Sequence, residues 1–216
     1  MRKLRIAFAG GGTGGHVYPL LAVATETQIL AANKRLEIEM RYFGSPKQYR
    51  TTLEENGISV SSIMESKIRR YFDLRNLIDI PKFGLSLLQA LWKLYWFMPD
   101  VVFSKGGPGA MAVILAAAFY RIPIFIHESD SRPSLTTLSS ARFAEKIFVA
   151  FKESIPYFSP ADSVKIVFSG NPLRRQLFSN LMSPDSTQTF LGFDKNLPLE
   201  KTIFTESAGE KYGIDS

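Results

Sequence analysis

Residues 9–19 read AGGGTGGHVYP, in which five glycines and a threonine run straight into one of the chain's two histidines. Gly10, Gly12 and Gly15 fit the spacing G-x-G-x-x-G between an apolar run and a helical one. Glycine lets a backbone turn tightly and lets a phosphate reach the amides, and a following helix N-terminus adds unpaired N–H groups and partial positive charge. The chemistry on offer is therefore anion binding beside an imidazole, and an imidazole can take a proton near neutral pH.

A second cluster, SKGGPGA at 104–110, repeats the theme and adds Lys105. Two such loops suit one shared anionic ligand, such as a diphosphate. The other histidine, His127, ends the run PIFIH and is followed by Glu128, Ser129, Asp130, Ser131, Arg132 and Pro133. Those carboxylates could orient a sugar hydroxyl or hold an imidazole. The bland alternative is a polar turn that caps a helix at Ser134. A nicotinamide-type site would want an acidic residue at the tip of the second strand. Glu39 lies mid-strand and the tip is Tyr42-Phe43-Gly44, which counts against a dinucleotide. There is no cysteine, no D-x-D pair and no His cluster at metal-ligand spacing, so no metal held by the protein is expected.

These residues need a scaffold. Apolar runs at Leu4–Ala9, Leu36–Phe43, Ile58–Ile63, Asp100–Ser104, Pro123–His127, Lys146–Ala150 and Val164–Phe168 read as strands. Helical patterns lie between them, including Pro19–Ala32 with Pro19 in its first turn, and Pro46–Asn56 closed by Gly57. Alternation at this spacing predicts an α/β protein with a doubly wound, Rossmann-like parallel sheet. Both histidines and both glycine loops then fall at carboxyl ends of strands, where open α/β sheets bind ligands.

The chain has 216 residues and a net charge of +6, with a pI of about 9.5. A basic balance suits a phosphate-bearing ligand, a nucleic acid or an anionic membrane surface without choosing among them. The longest uncharged apolar stretch, near 106–120, falls short of the ~20 residues a membrane-spanning helix needs. Residues 82–97, KFGLSLLQALWKLYWF, form a helix whose polar residues 82, 86, 89 and 93 make one narrow stripe. Its apolar side carries Trp92 and Trp96, and Arg69 and Arg70 lie just upstream. That combination suits an anionic membrane surface. A helix buried on two sides is the competing reading.

The stretches AGGGTGGHVYPLLAVA, DVVFSKGGPGAMAVILAA, RIPIFIHESDSRPSLTTLSSARFA, KIFVAF and FSGNPLRRQL together resemble the MurG family of peptidoglycan glycosyltransferases. The resemblance runs over residues 1 to about 177. It implies the N-terminal half of a GT-B fold. It also implies an inverting transfer of N-acetylglucosamine from UDP-GlcNAc to undecaprenyl-diphosphate-linked N-acetylmuramyl-pentapeptide, at the cytoplasmic face of the bacterial membrane, by a peripherally bound protein. No cofactor and no nucleic acid is implied. His16 becomes the candidate base and Glu128 a second catalytic candidate. Gly11, Gly12, Thr13, Gly14, Gly15, Lys105, Gly106, Gly107, His127 and Asp130 become the acceptor and diphosphate site. Asn171 and Arg174 fall at the hinge, and Arg69, Arg70, Trp92 and Trp96 in the membrane patch. Ser129-Asp130 stands where the family often has Gln-Asn, Thr137 where it has Asn, and Pro133-Ser134 where it often has Pro-Gly.

The resemblance divides the chain into an acceptor domain at 1–178, a linker at 179–198 and a stub of a donor domain at 199–216. TIFTESAGEKYGIDS stands where the family's second domain should open on a Gly-Gly-Ser loop. The expectation is a truncated or frameshifted product, inactive alone. The competing expectations are the acceptor subunit of a split transferase and a non-catalytic lipid-diphosphate-binding module.

Overall fold

The computed structural model describes residues 3–65 and 76–172. Seven strands, β1 (Leu4–Gly10), β2 (Ile38–Gly44), β3 (Ile58–Ser62), β4 (Val101–Ser104), β5 (Ile124–Glu128), β6 (Lys146–Val149) and β7 (Ile166–Phe168), form one sheet in the order β3-β2-β1-β4-β5-β6-β7. Every pairing is parallel. Six α-helices lie among the described residues: α1 (Gly14–Asn33), α2 (Arg50–Glu55), α3 (Asn76–Phe97), α4 (Ala110–Phe119), α5 (Leu135–Ser140) and α6 (Pro160–Ser163). The expected α/β doubly wound sheet is observed. The linker and stub expected at 179–198 and 199–216 lie outside the described residues.

The strand order places the site. The chain leaves β1 for β2 and β3 on one side, then returns to set β4 against the other side of β1. Ala9 of β1 pairs with Ser104 of β4, so both strands end together and release their glycine loops side by side. The connections diverge at this point and leave a crevice at the carboxyl edge. β1 is buried from Ile6 to Gly10 and β5 throughout, as strands covered on both faces must be. Small residues of α4 (Ala110, Ala112, Ala116, Ala117) and Ala90 of α3 let these helices approach the sheet closely.

Three elements depart from expectation. α1 begins at Gly14 rather than Pro19. Its N-cap is Thr13, with extended backbone (φ −116°, ψ 156°), and the amides of His16 and Val17 donate to the Thr13 carbonyl at 3.0 Å. Pro19 therefore lies inside the helix, where its missing N–H removes one ladder bond. The helix expected at 46–56 is a 3₁₀ turn, Lys47–Tyr49, followed by α2. Lys47 sits in the left-handed region at φ +49°, which no continuous helix admits. Gly57 does close α2, at φ +75°.

The third departure is α3, which starts at Asn76 and turns Ser86, Gln89 and Lys93 of its polar stripe inward, while Lys82 stays exposed. The Ser86 hydroxyl donates to the Met64 carbonyl (2.9 Å), and the Gln89 side-chain oxygen accepts from the Met64 amide (3.0 Å). Lys93 donates to the Ser62 carbonyl. These groups pair with the backbone at the end of β3 and just after it. Outward face Leu85, Leu88, Trp92, Tyr95 and Trp96, with Trp92 65% and Trp96 67% exposed. The reading of α3 as buried on two sides is overturned: α3 packs on α4 and the core, and its aromatic side is bare. No helix among the described residues is long and apolar enough to cross a membrane.

Candidate functional site

The two glycine loops are bonded to each other. Gly11 donates its amide to the Gly106 carbonyl at 3.1 Å, and Lys105 donates its own to Ala9 at 2.9 Å. Gly106 and Gly107 sit at φ +74° and +87°, so glycine is required at both. The amides of Gly14 and Gly15 lie in the first turn of α1, where no intrahelical acceptor exists, and they face the crevice with the positive end of a 20-residue helix. Gly15 is exposed, and a Cβ there would meet nothing within 4 Å. The Gly11 amide is already committed to the Gly106 carbonyl.

His16 stands between the loops. Its Nδ1 lies 2.7 Å from the Thr13 hydroxyl. A Cβ on Gly107 would come within 2.7 Å of its Nε2, so the second loop lacks a side chain where the imidazole passes. Thr13, although the N-cap residue, makes no side-chain cap bond; its hydroxyl serves the imidazole instead. Burial holds the pKa of His16 below its ordinary value and the Lys105 cation lowers it further, while Glu128, Asp130 and Glu65 oppose them. The ring is thus kept neutral near pH 7. In the tautomer whose Nδ1–H donates to the Thr13 hydroxyl, Nε2 carries the free lone pair, and this nitrogen lies against Gly107 of the second loop.

Lys105 is 5% exposed and donates to the Ser129 hydroxyl. Burial pushes its pKa down to about 8, against the pull of Glu128 and Asp130. Among the described residues its ammonium has no carboxylate as a direct hydrogen-bond partner.

Glu128 has a different position from a free acid or base. One carboxylate oxygen accepts from the Asp130 amide (3.1 Å) and the other from the Ser134 amide (3.0 Å). It shapes the 129–134 turn and acts on His16 and Lys105 through its charge. The turn also caps α5, as the bland alternative supposed: Ser134 accepts from the Thr137 amide at 3.1 Å. The Thr137 hydroxyl lies 3.3 Å from the Cβ position of Gly106 and backs that loop. Asp130 is exposed at the rim.

His127 turns away from the glycine loops. It is buried, and its Nε2 lies 2.9 Å from the Gly170 carbonyl, to which a neutral ring donates. Burial, reinforced by Lys105, lowers its pKa to about 4. Its Nδ1 and the Asn171 Oδ1 are buried without a hydrogen-bond partner among the described residues. His127 therefore ties β5 to the segment after β7, next to Asn171. Arg174, Arg69 and Arg70 lie outside the described residues. Trp92 and Trp96 stack edge to face at 5.8 Å on the exposed side of α3.

The sequence reading missed two side chains at the crevice. Lys47 follows the carboxyl end of β2 and lays its stem over Gly12, with Cγ and Cδ at 2.9 and 3.0 Å from that residue's Cβ position. Its ammonium pairs with Glu65 at 3.1 Å. The rule that put weight on the ends of β1, β4 and β5 applies equally to β2 and would have found Lys47. Among the described residues no group of His, Asp or Glu is arranged to hold a metal ion.

A strand–glycine loop–helix unit at a switch point is a general feature of open α/β sheets, so comparison with known proteins decides the family. The profile of the glycosyltransferase family 28 N-terminal domain matches residues 6–149. The chain belongs to this family. Within family 28 it is 35% identical over 208 residues to the UDP-N-acetylglucosamine–N-acetylmuramyl-(pentapeptide) pyrophosphoryl-undecaprenol N-acetylglucosamine transferase 2 of Bacillus cereus (strain ATCC 10987 / NRS 248), covering 96% of this chain and 56% of that protein. It is 34% identical over 203 residues to the corresponding transferase of Treponema denticola, covering 90% of this chain and 50% of that one. The crystal structure of MurG from Acinetobacter baumannii superposes with a TM-score of 0.61 at 25% identity, over 80% of this chain and 46% of that one. The chain thus spans about half the length of the family 28 relatives it matches. The match covers β1 to β6 with both glycine loops, the N-terminal half of the GT-B arrangement.

Proposed function

We propose that this chain supplies the acceptor-binding half of an inverting N-acetylglucosaminyltransferase of peptidoglycan synthesis. The acceptor is undecaprenyl-diphosphate-linked N-acetylmuramyl-pentapeptide and the donor is UDP-GlcNAc, consistent with the names of the relatives. The observation that carries the reading is the position of the His16 Nε2 between two bonded glycine loops. The acceptor diphosphate sits against the Gly14 and Gly15 amides, with Lys105 supplying charge from below and Gly106 and Gly107 allowing close approach. Nε2 takes the proton from the muramyl hydroxyl. That oxygen attacks the anomeric carbon of GlcNAc, the bond from that carbon to the diphosphate breaks, UDP leaves, and the configuration inverts. Glu128 is a positioning residue in this scheme, because both its oxygens are held by backbone amides.

The bare aromatic side of α3 supports peripheral attachment to an anionic membrane, with Arg69 and Arg70 contributing charge. Such a surface would hold the protein at the cytoplasmic face, where a lipid-linked acceptor presents its diphosphate.

Titration of the ¹⁵N-labelled chain with farnesyl diphosphate tests the reading. The Gly14 and Gly15 amides are expected to shift and saturate. A spectrum unchanged at millimolar ligand would overturn it.

A further inference from the structure

Lys47 carries features that its place in a surface turn does not explain. Its backbone is held at φ +49°, a conformation that costs a lysine about 1 kcal/mol or more and persists where surrounding contacts impose it. Its stem lies against Gly12, and a Cβ on that glycine would also overlap the Ser45 carbonyl oxygen. The 44–47 turn and the first glycine loop are therefore pressed together without room for a side chain. Two bonds beyond the Cδ that touches Gly12, the ammonium meets Glu65 at 3.1 Å. The lysine side chain is 47% exposed, so the pair is open to solvent on one side and can part. Glu65 is 19% exposed and close enough to influence His16 through its charge. A carboxylate so near an anion site repels the anion unless a cation screens it. The ion pair with Lys47 supplies such a cation.

We propose that Lys47 is a second diphosphate-binding cation, which Glu65 holds at the rim of the glycine loop and releases to the ligand. The ligand chemistry is a diphosphate, and the inference rests on the diphosphate reading above. On binding, the ammonium exchanges the Glu65 carboxylate for a phosphate oxygen, swinging about its stem on Gly12. Lys105 then approaches the diphosphate from beneath the loops and Lys47 from the rim. Glu65 tunes affinity by competing for the same ammonium.

The competition gives opposite signs for the two partners. Lys47→Met keeps the stem and removes the charge; it is expected to weaken farnesyl diphosphate binding about tenfold, the size of one charge-assisted contact. Glu65→Gln frees the lysine and removes a repelling charge; it is expected to tighten binding about threefold or more. Lys47→Arg is expected to stay within about threefold of the wild type. If Lys47→Met does not fold, Lys47→Asn, which tolerates the left-handed conformation, replaces it. Calorimetry on the full 216-residue chain reads all of these, with UDP as a parallel ligand. A response confined to farnesyl diphosphate assigns Lys47 to a lipid diphosphate, and one confined to UDP assigns it to the donor's. Both outcomes support the cation role. If the two variants move affinity in the same direction, or neither moves it, the pair is structural and the proposal is overturned. Wild-type chain that binds neither ligand overturns this proposal together with the diphosphate reading. Wild-type binding with Gly15 amide shifts but without opposite signs overturns this one alone.

Discussion

Replacing Gly15 by alanine should stabilise the fold and damage the site at once. Gly15 lies in the first turn of α1, its φ is not in the left-handed region, and a Cβ there meets no atom within 4 Å. Nothing among the described residues requires glycine at this position. At such a compatible site Gly→Ala stabilises by about 0.4–1 kcal/mol, mostly by restricting the unfolded chain. For a domain of this size that raises the melting temperature by about 1–4 °C. The new methyl would occupy the space through which a phosphate reaches the Gly14 and Gly15 amides. Loss of one charge-assisted bond of roughly 1.5–3 kcal/mol lowers affinity about 10- to 150-fold. Gly12→Ala is the matched contrast. Its Cβ would overlap the Ser45 carbonyl oxygen, so it should lose stability, by about 1–3 kcal/mol, as well as binding. Differential scanning fluorimetry and calorimetry with farnesyl diphosphate read both quantities. A Gly15→Ala chain that binds within twofold of wild type would refute the assignment of this loop to a ligand. A lowered melting temperature would refute the steric argument.

Four further outcomes follow from the charges and the bare face. Lys105→Met removes a cation that depresses His16, so the imidazole pKa, followed by NMR titration, should rise toward 6.5. In wild type the Lys105 charge fades as pH rises through about 8, so diphosphate affinity should decline there, and that decline should vanish in Lys105→Met. His127 is neutral in the fold, with a pKa near 4 against 6.5 when unfolded, so its contribution is complete above about pH 6.5 and lost as pH falls toward 4. The loss amounts to up to about 3 kcal/mol, and His127→Gln, which can still donate to Gly170, should show a correspondingly flatter decline in urea melts between pH 7.5 and 4.5. The double change Trp92→Asp with Trp96→Asp should leave the melting temperature within about 2 °C, because both rings are about two-thirds exposed. It should also reduce sedimentation with anionic vesicles at least tenfold; unchanged sedimentation would remove α3 from the membrane surface.

The sheet, both glycine loops and His16 were legible because each rests on short-range rules. Strand–loop–helix periodicity and the ban on side chains at left-handed positions act within a few residues. Where a glycine's reason lay far away in the chain, the motif stayed ambiguous. Gly11 and Gly15 look alike in sequence, yet Gly11 is fixed by a bond to Gly106 and Gly15 by nothing among the described residues. The start of α1 was misplaced because Pro19 is a common opener, while Thr13 spends its hydroxyl on His16 and so hides its role as the cap.

The sequence by itself determined which residues stand at the carboxyl edge of the sheet, because strand direction follows from the alternation of elements. It also determined that α3 has two unlike faces, because period alone separates them. Tertiary structure decided which way each of these looks. It turned the polar stripe of α3 toward the backbone of Ser62 and Met64 and left the aromatic face bare. It sent His127 to Gly170 and His16 to the gap between the loops. It also set Lys47 and Glu65 together at the rim. A side chain's direction depends on long-range partners that satisfy buried polar groups, and those partners are fixed only when the strands are in order.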